Sequence, residues 1–172
     1  KATELGAAVL WPVFTRNTDT TRVNGERLRA QVAEASEQCG RLTVPDVREP
    51  ATLDALIRES IGESRLITPD FVRAGADTLE RAVTTRGWPE LADVAGRVMI
   101  ILECGARARS NYLDGRPSGQ GRACFVNAAV GTPAAAYLVI NDPLDQGQRI
   151  KDLVRKGYMV RTRADADLQE VR

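Results

Sequence analysis

Near the end of the chain two arginines, Arg161 and Arg163, stand two residues apart, and Asp165 follows two residues later. Side chains two apart in a strand share a face, and a planar guanidinium suits bidentate contact with a phosphate. The same arginines equally suit structural ion pairs with Asp165, Asp142 or Glu103, because a buried arginine is normally paired. Asn141 and Asp142 carry oxygens that can accept hydrogen bonds from sugar hydroxyls, or form with Pro143 a turn that caps the next helix. Asn127 reads as one more polar ligand or as a turn former, and Glu103 as a supporting acid.

What these residues can do is bounded by what the chain lacks. Its 172 residues include no histidine, which excludes any Ser-His-Asp or Cys-His nucleophile, His-ligated zinc or histidine general acid supplied from within the chain. Chemistry here must use Asp, Glu, Arg, Lys, Tyr or Cys. The three cysteines, Cys39, Cys104 and Cys124, have no metal-binding spacing and read as buried free thiols. With 24 Lys+Arg against 23 Asp+Glu, there is no basic excess of the kind that marks a nucleic-acid partner. Residues 115–121 are glycine-rich but lack the G-K-[ST] ending of a phosphate loop, and read as a surface connector. Arg149, Lys151, Arg155 and Lys156 suggest either a solvated outer helix or peripheral contact with an anionic membrane. No apolar run approaches the length of a membrane span.

The elements that must position these side chains follow from the apolar pattern. Residues 7–10 suit a short strand, and Trp11-Pro12 with residues 15–21 a loop. Residues 25–39, 51–61 and 78–85 repeat apolar positions at steps of three and four, with Gly40, Gly62 and Gly87 as stops. Beyond Gly96 come continuous apolar runs at 98–102, 123–126, 136–140 and 158–160, of the kind found in parallel strands buried on both faces. A helix over 148–156, closed by Gly157, separates the last two. The expected class is α/β, as one domain over residues 1–172. The four runs end in Glu103, in Asn127, in Asn141-Asp142 and in Arg161 and Arg163, so a parallel sheet would gather them on one face, where such folds hold ligands. Strand ends are also simply where chains meet water.

Several blocks then resemble the calcium-dependent phosphoinositide-specific phospholipase C-like domain of the PLC-like phosphodiesterase superfamily. Residues 65–73 (RLITPDFVR) are similar to its RLITPDDVRG segment. Residues 78–83 (TLERAV) with 86–89 (RGWP) resemble its TLREAV and GWPTL continuation, and 96–103 (GRVMIILE) its GKVIFLLD strand. Tyr112-Leu113, Gly121-Arg122, Phe125-Val126-Asn127 and Asn141-Asp142-Pro143 follow in order, and residues 153–167 (LVRKGYMVRTRADAD) carry the most specific block. The likeness is good from about Thr52 onward and poor over residues 1–50.

The resemblance implies a (β/α)8 TIM-type barrel, for which about 250 residues are typical. The chain is then expected to be a partial barrel, lacking N-terminal strands and the final strand, with sheet edges left unpaired. It further implies a secreted, extracellular hydrolase: a phosphoric diester hydrolase of lipid metabolism that cleaves phosphatidylinositol-like lipids with calcium. In such families two histidines act as general base and acid, and no position here can carry either role. Arg161, Arg163, Asp165, Asn141, Asp142, Glu103 and Asn127 are then the residues expected to hold substrate, the segment alone being inactive. A catalytically inactive binding module derived from the barrel is the alternative. A small independent enzyme using carboxylates and arginines is a third reading, which no paired-carboxylate spacing supports.

Overall fold

In the computed structural model, residues 1–15 and 23–163 are described. Parallel strands separated by helices make up the chain, as the unalternated apolar runs require, and they form two compact units, Lys1–Ser60 and Ile61–Arg172.

In the first unit, β1 (Val9–Leu10) pairs in parallel with β3 (Asp46–Val47), and β2 (Val13–Phe14) with β4 (Ala51–Thr52). The ladder breaks at Pro12 and Pro50, which have no N–H to donate. The segment expected to be a loop after Trp11-Pro12 thus contains a strand, while residues 16–21 of that loop lie outside the described residues. Between the strand pairs runs α1 (Gly25–Gln38), capped by Asn24, whose side-chain oxygen accepts the Arg27 N–H at 3.0 Å. Val32 and Ser36, one turn apart, are its buried face. Gly40 closes it at φ +66° with the Arg41 N–H on the Ser36 carbonyl at 2.9 Å, a reverse turn that a side chain would disfavour. Cys39 is exposed and Cys104 half-buried; only Cys124 is buried, which corrects the reading of all three as core thiols. Cys39 stands at the end of α1, where the helix gives way to solvent. Thr52 begins α2 (Leu53–Ile61), accepting the Ala55 N–H at 3.2 Å.

In the second unit, β5 (Leu66–Ile67), β6 (Val98–Leu102) and β7 (Cys124–Val126) lie side by side in chain order, all parallel. A parallel bridge from Asn127 to Tyr137 leads on to β8 (Tyr137–Val139), which pairs with β9 (Met159–Arg161). Helices α3 (Pro69–Arg73) and α4 (Leu79–Thr85) connect β5 to β6, α5 (Ala106–Leu113) connects β6 to β7, and α6 (Gly147–Arg155) connects β8 to β9. From β7 to β8 the chain crosses by turns alone, pinned where the Leu79 N–H reaches the Pro133 carbonyl at 3.0 Å. The core gathers Phe125, Leu79, Val72, Val83, Leu138 and Leu153 between sheet and helices. Trp88 lies against it, its ring centroid 5.5 Å from that of Phe125, and its indole N–H donates to the Gly157 carbonyl at 2.9 Å. On α6 the basic residues are exposed, with Arg155 on Asp152 at 3.3 Å. Leu153 and Ile150 carry the packing of this helix, whereas Val154 is 53% exposed. The strands do not close into a barrel among the described residues.

Candidate functional site

Because β6, β7, β8 and β9 are parallel, the residues just past their carboxyl ends fall along one edge of the sheet. Three of the expected residues meet there. Arg161, the last residue of β9, donates from Nη1 to the Asn141 Oδ1 at 2.8 Å, and its Nε lies 3.8 Å from the Glu103 Oε1. Both charged side chains are about two-fifths exposed, at 41% and 43%, so the guanidinium is held in place yet open to a ligand.

A residue that sequence reasoning passed over joins them. Tyr137, the first residue of β8 and buried, donates its hydroxyl to the same Glu103 oxygen at 2.8 Å. Burial pushes the phenol up to about 12, the hydrogen bond to Glu103 and its negative charge add to the rise, and the Arg161 charge opposes it. The phenol is therefore a fixed proton donor at any ordinary pH. Its only sequence signal was a polar atom at the head of an otherwise apolar run.

The other expected residues serve different ends. The Asn127 side chain accepts the Cys104 N–H at 3.0 Å, and its carbonyl accepts Arg109 Nη1 at 2.7 Å, so it ties the ends of β6 and β7 together. Asp142 Oδ1 accepts the Asp145 N–H at 3.2 Å, which realises the turn reading of Asn-Asp-Pro while Asn141 faces the arginine. β9 ends at Arg161, so the strand rule that put Arg163 on the same face does not extend to it; Arg163 lies beyond, exposed. Asp165 lies outside the described residues. At Cys104, next to Glu103, burial raises the thiol and Arg109 opposes the rise, which favours its protonated form.

This arrangement can bind and orient an anion or a polyol, with a guanidinium edge and an amide as partners, the Glu103 carboxylate being taken by Tyr137. It offers no imidazole as general acid or base. A calcium ion takes about six to eight oxygen ligands, whereas no group of three or more Cys, Asp or Glu converges among the described residues, and Glu103 is already engaged by Tyr137 and Arg161. These residues do not fit such an ion.

No curated protein and no solved structure matches the chain. A family model does, that of phosphoinositide phospholipase C, Ca2+-dependent, over residues 28–172. The match begins within α1, well before the blocks that first suggested the likeness, and runs through every strand that carries the site. On that coverage the chain belongs to the Ca2+-dependent phosphoinositide phospholipase C family.

Proposed function

We propose that this chain is the headgroup-holding part of a phosphoric diester hydrolase acting on phosphatidylinositol-like lipids, and that its parallel strands are consecutive staves of an incomplete TIM-type barrel. The observation that carries the reading is Arg161, held at the carboxyl edge of β9 by its hydrogen bond to Asn141 yet left accessible. A guanidinium so placed suits a phosphate oxygen or a pair of ring hydroxyls. The stave reading rests on each strand of the second unit neighbouring the next in chain order, which is how a singly wound barrel is laid down. Histidines and calcium ligands then belong to parts of the family's domain other than the described residues, and an extracellular location goes with the same reading.

The test is calorimetric titration with myo-inositol 1-phosphate. Binding by the wild type, weakened about tenfold or more in Arg161→Ala at unchanged melting temperature, supports the proposal; one lost charge-assisted hydrogen bond is worth about that much. Equal binding by the two proteins removes Arg161 from the site. A protein that binds the headgroup, and hydrolyses nothing even when the rest of the domain is present, is the inactive binding module.

A further inference from the structure

A carboxylate beside a guanidinium ordinarily closes onto it with two parallel hydrogen bonds at about 2.7–2.9 Å. Glu103 does not. Its Oε1 stays 3.8 Å from Arg161 Nε, which is an ion pair but too long for a hydrogen bond, and the atom that takes the short contact is the Tyr137 hydroxyl at 2.8 Å. Among the described residues the Arg161 guanidinium makes one hydrogen bond, to Asn141. The remainder of its donor edge is left unspent, in a position where its neighbouring carboxylate would otherwise consume it.

We infer that Tyr137 is a positioning residue: by capturing Glu103, it holds that carboxylate off Arg161 and keeps the guanidinium open for an anionic headgroup. The inference rests on the proposed headgroup-holding role of Arg161 and adds the device that sustains it. The geometry suits the task. Tyr137 is 6% exposed, so its ring is fixed by packing, whereas Glu103 is exposed and free to choose its partner. The phenol arrives from β8, which lies between β7 and β9; Glu103 follows the end of β6, on the far side of β7, and Arg161 ends β9. Asn141, from the end of β8 itself, orients the guanidinium from its other side. With the hydroxyl removed, no other described residue competes with Arg161 for the carboxylate, and the two side chains, both surface-accessible, would pair with each other instead of with a ligand.

The experiment compares myo-inositol 1-phosphate affinity across five proteins of the full chain, the wild type and four variants, with the melting temperature of each as a control. Tyr137→Phe keeps the ring and is expected to bind about tenfold more weakly than the wild type. The double variant Tyr137→Phe/Glu103→Ala removes the competitor and is expected to recover that loss. A role limited to packing would not be rescued by deleting an exposed carboxylate, so a double variant as weak as Tyr137→Phe overturns the inference, as does a Tyr137→Phe protein that binds like the wild type. Should Tyr137→Phe fail to fold, Glu103→Ala alone decides. It is expected to bind about threefold more tightly than the wild type, because a repelling charge is gone, and weaker binding would show that Glu103 itself holds the ligand. Arg161→Ala separates the two proposals: if it binds like the wild type, the headgroup site is elsewhere, whereas if it alone weakens binding, the site stands and the role of Tyr137 falls.

Discussion

Arg161 speaks to two neighbours through different nitrogens, and that division decides what its substitutions should do. Arg161→Lys keeps a charge near Glu103 but has no planar edge with which to hold Asn141 and a ligand together, so it is expected to restore only part of the affinity lost in Arg161→Ala. For Arg163→Ala the expected outcome is weaker use of substrate by the complete domain at nearly unchanged stability; a variant that simply unfolds would mark that arginine as structural. A second tyrosine carries a different duty. The Tyr158 hydroxyl and the Gly131 N–H both donate to Glu80 Oε1, each at 2.6 Å, so one carboxylate on α4 binds the turn before β8 and the residue before β9. Glu80→Ala leaves a buried hydroxyl without its partner and is expected to cost about 2 kcal/mol in chemical denaturation, with headgroup affinity intact. Tyr137 and Tyr158 are both pushed up to about 12, mainly by burial and then by their carboxylate partners. A tyrosine whose folded value lies above its unfolded value near 10 adds stability that is whole below the lower value and is lost as pH rises through the upper one. Melting temperature should therefore fall between pH 10 and 12, and fall less in Tyr158→Phe. The Tyr137–Glu103 pair was not legible beforehand because its members stand 34 residues apart and no periodicity links a tyrosine at the head of one strand to an acid past the end of another.

At the scale of elements, Gly157 is the tightest joint. Its φ is +99°, and a Cβ there would run into the carbonyl oxygen of Val83 at the end of α4. Gly157→Ala thus combines backbone strain with a clash against main chain and is expected to destabilise by about 3 kcal/mol, read as a shifted denaturation midpoint. Thr78→Ala is milder, since it removes only the cap that accepts the Arg81 N–H at 3.0 Å, worth about 1 kcal/mol. The elements that the sequence made readable share a physical reason. Val98–Leu102 is a run of β-favouring apolar residues five long, and α1, α2, α4 and α6 each combine spaced apolar positions with a cap or a closing glycine. What stayed hidden was too short or too polar to show a period. β3, β4 and β5 are two residues each, and α5 buries no residue at all, so its alanines and arginines give no stripe. The polar strand ends were readable as a group; which of them touch one another depends on register, and Asp142 and Asn127 turned to local backbone duties.

For the molecule as a whole, the match to the phospholipase family extends over both compact units, so neither is foreign to the family's domain. With no imidazole anywhere in its sequence, the chain by itself is expected to release no inositol phosphate from phosphatidylinositol vesicles with calcium, across about pH 5 to 9 where histidine acid–base catalysis operates. Release under those conditions would mean that tyrosine, carboxylate or arginine chemistry suffices. The order of the strands bears on something else. β3 settles on β1, β4 on β2, β6 on β5, β7 on β6 and β9 on β8, so the later member of each pair finds its mate among residues already synthesised. In a nascent chain the earlier strand of each pair waits for no more than two intervening elements before its partner emerges, so the apolar runs are covered soon after they appear. Short waits of this kind limit the exposure of the apolar stretches 98–102 and 136–140 during translation, and the edge on which Arg161 stands is completed when β9, the last of its strands, emerges.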